Sequence, residues 1–345
     1  MIMNKRKFKK DILLFVLIPL ILLISTSCSI IKVPVRLYGL IDTQGNYLVE
    51  PTFTGIKIGK EGLYPVRLGA DEYYRWGYSD KNGNIIIDYI YKDASIFSYG
   101  YAPVQLFVKS EDEDRSFVFI DKDNNVVFDK KFKFALPFSE GLACVQSGEK
   151  DATYNLWGFI DLEGNYVIEP KYEALASFSE GLAKFQIGSG TAGLCGYIDM
   201  EDNVVIEPTY SYAGLFSQGL ASVKLSMDPE KNDAGYINKK GEIVIPLKYY
   251  NTSTFGDGLG PVLTGDSYRN SYYGYINMDN ELVIRAKYYM AYSFSEGLAA
   301  VKVDDYENSG WMYIDTLGNL VIKNDYSAAS SFIDGVAPVG MIEYR

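Results

Sequence analysis

The chain reads as an all-β protein of eight tandem repeats, each about 39 residues long and carrying three short strands, β-propeller-like in architecture. Two observations predict this. The first is self-similarity: WGFIDLEGNYVIEPKYEALASFSEGLAKF (157–185) recurs as CGYIDMEDNVVIEPTYSYAGLFSQGLASV (195–223) and as YGYINMDNELVIRAKYYMAYSFSEGLAAV (273–301). The second is constant spacing. A first glycine anchors the copies at 39, 77, 118, 158, 196, 235, 274 and 312, with Val118 and Met312 in two of them. A second glycine follows each anchor by 23 residues, and all variation in length lies after it. Units of this size cannot bury a core alone, so neighbours must stack.

Residues 1–27 precede the repeats and have a different character. Lys5, Arg6, Lys7, Lys9 and Lys10 lead into an apolar run, Ile12 to Ile24, that ends in Ser25, Thr26, Ser27 and Cys28. A basic stretch, a short apolar core and a small-residue exit form a secretory signal peptide. The run falls short of the ~20 residues a transmembrane helix requires, and Pro19 interrupts it. The exit resembles a bacterial lipobox, which makes Cys28 the expected lipidation site. Ser25 departs from that pattern, which has leucine at this place. On this reading residues 28–32 are a tether and the repeats fill 33–345. The mature chain then holds 28 basic and 43 acidic residues, a net charge of −15.

Each unit opens on a strand, as in Tyr197-Ile198, and reaches Asp or Asn three residues after the anchor. Gly, Asn or Asp follows three further on, from Gly45 to Gly318. These residues tolerate positive φ or close turns with their own side chains, so a hairpin turn is expected. A second strand follows, as in Val204-Val205-Ile206. An aromatic recurs fourteen after every anchor (Phe53, Tyr91, Phe132, Tyr172, Tyr210, Tyr249, Tyr288, Tyr326), and a Phe at twenty in seven copies. Ala94, Ala213, Ala291 and Ala329 between them suggest one 3₁₀ or helical turn. The third strand follows the second glycine, as in Leu182-Ala183-Lys184-Phe185.

These residues resemble the WG-repeat family, named for the Trp-Gly pair that survives as Trp76-Gly77 and Trp157-Gly158. Trp311 precedes Met312; Tyr38, Cys195, Ala234 and Tyr273 take the Trp place elsewhere. The resemblance covers roughly residues 33–345. It implies an extracytoplasmic protein and supplies no catalytic residues. At the ends, Val33–Leu37 and Ala337–Val339 both look like third strands, one more than the repeats require. The surplus strand suits a closed propeller, and as a cap it suits an open superhelical array.

Composition excludes several functions. The 33 basic and 44 acidic residues oppose nucleic-acid binding, which requires a basic footprint. The chain has no histidine, so Ser–His and Cys–His nucleophiles and His-ligated metals are absent. Gly188–Gly193 matches G-x-G-x-x-G but precedes a strand instead of opening a helix, so it reads as a loop. Asp121–Asn125 begins like a calcium loop, yet Val126 and Phe132 occupy the positions that require Gly and Glu. A column of Asp or Asn present in every copy is scaffold. Cys144 and Cys195 read as unpaired, partly buried thiols. No cofactor and no metal are expected.

The loops between repeats vary in length and are rich in tyrosine, which offers adaptable contact area. Tyr73, Tyr74, Arg75, Tyr154, Tyr268, Arg269, Tyr272 and Tyr306 are therefore the candidate recognition residues, with 266–272 the leading loop. The function expected is a non-enzymatic, membrane-anchored extracytoplasmic scaffold that binds a protein partner through these loops. The alternative is a cell-wall or glycan-binding surface protein that uses exposed tyrosines. An exposed aromatic column would favour the alternative; a buried one favours the scaffold.

Overall fold

The computed structural model describes residues 33–69, 74–107, 116–147, 155–188, 193–304 and 310–344. These form eight antiparallel blades: six are four-stranded sheets, and blades 3 and 4 are joined through Phe132–Ser139 into one seven-stranded sheet, so a blade is not one three-stranded repeat. Each blade takes its two inner strands from one repeat and its two outer strands from the next. Blade 6, for example, runs outward from Tyr212–Ala213 through Leu220–Lys224 and Ala234–Asn238 to Ile243–Tyr249. The innermost strands are the two-residue segments, such as Asn251–Thr252, found where a helical turn was expected. Their pairing with the next strand, Thr252 opposite Val262, explains the alanine there: a small side chain lets neighbouring blades approach.

Blade 1 closes the ring. Its two inner strands are Ala328–Ala329 and Val336–Tyr344, and its two outer strands are Pro34–Asp42 and Tyr47–Phe53. Pro34–Asp42 pairs with Val336–Tyr344 over nine residues without a register break. The terminal segments are therefore not surplus third strands. Each merges with its neighbour into a nine-residue strand, and the two strands join to each other.

The core lies between blades. Each of the eight buried clusters combines residues of two consecutive blades; one holds Tyr236, Ile245 and Tyr249 of blade 6 with Phe255 and Val262 of blade 7. The residue after each anchor carries much of this packing. Tyr78, Tyr197, Tyr236, Tyr275 and Tyr313 are fully buried. Each packs its ring against a phenylalanine of the next blade, with centroids 4.7–5.0 Å apart. Each hydroxyl donates at 2.7–2.8 Å to a carbonyl of the next blade's inner strand, as Tyr236 does to Ser253. The aromatic column at fourteen is likewise buried in seven copies.

The turn three residues after the anchor is an Asx turn. Asp199 Oδ1 accepts from the backbone of Asn203, and Asp199 Oδ2 from the Asn203 amide at 3.0 Å. Six copies use Asp followed four later by Asn. Two reverse the polarity: Asn238 and Asn277 donate from Nδ2 to Glu242 and Glu281. The second glycine closes a two-residue hairpin of type I′, both central residues having positive φ (Glu180 55°, Gly181 84°). Nothing lies within 4 Å of a Cβ built on Gly181. The column is thus held by φ alone and not by crowding. The anchor glycines differ: a Cβ on Gly158 would stand 2.4 Å from the Ile168 carbonyl oxygen. Beside Val118 the outer strand keeps only Ile120–Val126 and Phe132–Phe117 as paired positions, whereas Met312 in the same place leaves the ladder to Leu320–Tyr326 intact, so loss of the glycine does not by itself break the strand.

Both turns lie on one face of the ring, the turn face. There the acidic residue before the second glycine reaches across to the next blade. Glu140, Glu180, Asp257 and Glu296 accept from the N–H of Gly181, Gly219, Gly297 and Gly335 at 2.7–2.9 Å. The loops between repeats and the links from outer to inner strands occupy the opposite face, the loop face.

Two predictions follow from these turns. Gly181→Val should cost about 2–3 kcal/mol, as a β-branched residue forced to positive φ does, while Gly181→Asn and Lys184→Val should each cost less than about 1 kcal/mol. Equal melting temperatures for Gly181→Val and Gly181→Asn would show that φ does not govern the column.

The second concerns the Asx turn. Asn203→Glu sets two carboxylates together and should lower the melting temperature; adding Asp199→Asn should restore it by recreating the blade 6 pairing. The Asn amide, helped by backbone N–H groups, holds the carboxyls of Asp42, Asp121, Asp199 and Asp315 below the usual range. A lowered folded-state value gives stability that is present above about pH 4 and lost as pH falls through it. Hydrogen exchange at acid pH should open the Asp199 turn while sparing those at Asn238 and Asn277.

Candidate functional site

In six of the eight copies a large aromatic stands at the loop-face start of the repeat's first strand, which is the third strand of the blade counted outward. Trp76 lies under the Lys57 ammonium at 4.6 Å, Trp157 packs on Phe134, and Trp311 stacks on Tyr292 with centroids 4.7 Å apart. Blade 6 breaks this pattern. Ala234 fills the Trp place there, as Cys195 does in blade 5, so neither copy has a ring at that position.

A cleft opens here on the loop face, across blades 6, 7 and 8. It consists of two adjoining hollows of about 490 and 650 Å³. The first is lined by Tyr212 and Lys224 of blade 6, Tyr250 and Asn251 of blade 7, and Met290 and Tyr292 of blade 8. The second adds Tyr272, Arg269, Tyr289 and Asp304. Tyr268 and Tyr273 belong to both. Exposed Met227 and Met290 stand among exposed Tyr212, Tyr268, Tyr272 and Tyr289, an apolar patch with polar tips.

The polar groups of the wall are tied down. Lys224 Nζ donates to the carbonyls of Asp228 (2.8 Å) and Tyr250 (3.2 Å) and lies 3.9 Å from Asp233. Asn251 donates to the Tyr273 hydroxyl at 3.0 Å. Burial pushes the Tyr273 and Tyr212 hydroxyls up, so both stay protonated at neutral pH. Tyr250 and Tyr268 meet edge to face at 6.0 Å. Arg269 reaches the second hollow from a short 3₁₀ turn, Tyr268–Asn270. The surface is mainly aromatic, with three charged side chains, Lys224, Arg269 and Asp304, in its wall.

Of the residues the sequence singled out, Tyr268, Arg269 and Tyr272 come together in this cleft. Tyr272 belongs to the strand Ser271–Ile276, so the connecting loop is 266–270 and not 266–272. Tyr74 and Arg75 lie away from it in blade 2. Tyr74 sits beneath Arg67 and Lys92, and Arg75 stacks on Phe107 at 3.4 Å. Tyr73, Tyr154, Tyr306 and Cys28 fall outside the described residues. Sequence reasoning missed Tyr212, Lys224, Tyr250, Met290 and Tyr292. No residue pattern in the sequence singles them out: Ala234 in the Trp place of blade 6 has a counterpart in Cys195 of blade 5.

The other candidates are scaffold. Asp121 accepts from the backbone of Asp123 and Asn125 as the other Asx turns do. Cys144 and Cys195 are buried, and burial pushes both thiols up. Among the described residues no three His, Cys, Asp or Glu side chains stand together as metal ligands would.

The chain is similar in fold to prolyl oligopeptidase B from Galerina marginata, with 9% identity over 85% of this chain and 55% of that one, and a TM-score of 0.52. It also matches the β-propeller domain of the Trilobed protease from Pyrococcus furiosus at 11% identity, over 79% and 99% of the two chains, with a TM-score of 0.49. At such identities these likenesses bear on fold alone. No curated protein matches in sequence. The model of the WG containing repeat matches residues 38–70, 76–106, 119–150, 157–189, 196–226, 235–268, 273–306 and 311–341. Eight matches that cover most of the chain place it in the WG-repeat family.

Proposed function

We propose that this protein is an extracytoplasmic scaffold, anchored by a lipid on Cys28, that binds a protein partner through the loop face without catalysis. The observation that carries this is the tyrosine–methionine cleft that crosses blades 6 to 8 on the loop face. Tyr, Met and Arg are enriched at protein interfaces, and tyrosine buries large area at low entropic cost. The burial of the column at fourteen supports a protein partner over a sugar, since those rings are taken up by the core and have no free face for stacking.

Two experiments test this. A fatty-acid analogue should label cells expressing the wild-type chain and leave Cys28→Ala unlabelled; equal labelling of both would refute the anchor. In pull-downs with the repeat domain, one arm offers extracytoplasmic proteins and the other cell-wall polymer. Tyr268→Ser with Tyr272→Ser should abolish protein capture at unchanged melting temperature. Tyr210→Ala should cost ~3–5 kcal/mol of stability, as large-to-small changes in a core do. A stable Tyr210→Ala protein that loses binding to the polymer would establish the glycan reading instead.

A further inference from the structure

Blade 2, built from Gly55–Ile56, Tyr64–Leu68, Arg75–Ser79 and Ile85–Tyr91, departs from the other seven on the loop face. Each of its strands has a cation there: Lys57 after the first, Arg67 in the second, Arg75 opening the third and Lys92 after the fourth. In no other blade does more than one of the same four places of the repeat hold Lys or Arg. Blade 5 has Ala176, Gln186, Leu194 and Ser211 at them, and blade 6 has Gly214, Lys224, Asp233 and Tyr250. The chain as a whole has 33 basic and 44 acidic residues, so this concentration of positive charge runs against its composition.

Aromatic rings hold the cations in a row. Lys57 Nζ and Arg67 Cζ both lie over Trp76, at 4.6 and 5.6 Å from the ring centroid. Arg67 Cζ and Lys92 Nζ both lie over Tyr74, at 4.9 and 4.3 Å. Lys57 is paired with Asp93 at 2.5 Å. Arg67 and Lys92 have no ion pair among the described residues; Arg67 Nη2 donates to the Thr54 carbonyl, and Arg67 Nε is buried without a hydrogen-bond partner. Cations that share a ring repel each other, and a carboxylate set between them turns that cost into charge-assisted hydrogen bonds. Trp76 is buried and Tyr74 already carries two cations, so these rings position charge and are not a platform for a base or a sugar. Strands lie about 4.8 Å apart, so the row spans roughly 14 Å, the length of about four extended residues. We propose that the loop face of blade 2 binds an extended acidic segment of a protein partner, with Arg67 and Lys92 taking its carboxylates. This rests on the reading above only in placing a protein partner on the loop face; it depends neither on the lipid anchor nor on the cleft of blades 6–8.

The test is fluorescence anisotropy with the full chain in detergent and two short labelled peptides, one of alternating Glu and Gly, the other of alternating Lys and Gly. Despite the negative charge of the whole protein, the acidic peptide should bind about tenfold more tightly than the basic one, and salt should weaken it. Arg67→Gln with Lys92→Gln should reduce its affinity about tenfold. Lys81→Gln with Lys240→Gln removes the same charge from the turn face and should leave the affinity unchanged. If the first pair lowers the melting temperature, Lys92→Gln alone decides, with a loss of about threefold expected. Equal binding of the two peptides, or equal loss in the two double variants, overturns the site. Inorganic phosphate or a single-stranded oligodeoxynucleotide that binds as tightly as the acidic peptide overturns the assignment of the occupant. The acidic stretch 111–114 lies outside the described residues. If the peptide binds only when those four positions are made Gln or Asn, the row serves the chain itself, and the assignment to a partner is overturned.

Discussion

The ring depends on a buried tyrosine that belongs to two blades at once. A three-stranded repeat of this length has no interior of its own, so its apolar faces must be covered by a neighbour. The tyrosine after the anchor provides that cover and fixes its register. Its ring meets the next blade's phenylalanine, and its hydroxyl satisfies a carbonyl of the short inner strand. A donor buried without a partner costs as much as the bond gains, so the two blades hold one relative position. Phe119 and Phe159 show that packing alone suffices in two places, where ring contacts with Phe138 and Phe178 continue without the hydroxyl.

The acidic residues of the turn face add a second tie between the same blades. Each carboxylate that accepts from the following glycine N–H is charge-assisted, and each glycine is held at a φ that presents that N–H to its neighbour. The hairpin chemistry and the ring geometry therefore use the same two residues. The pattern has exceptions that its chemistry does not explain: the outer strand beside Val118 is reduced to isolated pairs, while Met312 in the same place keeps its ladder.

Much of the fold was legible because the repeat samples each position eight times. The second glycine, the Asx column and the aromatic at fourteen kept their types and found the roles their chemistry suggests. The composition of a blade was not legible. Sequence order groups three strands between consecutive anchors, whereas hydrogen bonding joins the end of one repeat to the start of the next, and no local propensity marks that choice. The inner strand was mistaken for a helical turn because two residues carry no period. The Asp–Asn pair and its reversal at Asn238–Glu242 were present in the letters and become intelligible only as donor and acceptor exchanged. The site was half visible: loop 266–270 stood out by its tyrosines, while Tyr212 and Tyr250 belong to strands and links that look like ordinary scaffold.

Closure by strands from opposite ends of the chain also bears on the order of events in the cell. The pairing of residues 34–42 with 336–344 spans nearly the whole chain, and contacts of such separation form late. A chain that folds from its N-terminus can dock blades 2 to 8 progressively, but its first outer strands wait with an open edge until the last residues arrive. Loss of a few C-terminal residues would leave that edge permanently unpaired and available to another molecule. Gain or loss of a whole repeat leaves it joined, since any integral number of units returns the same two strands to each other. Insertion is thus tolerated by the unit and not by the residue.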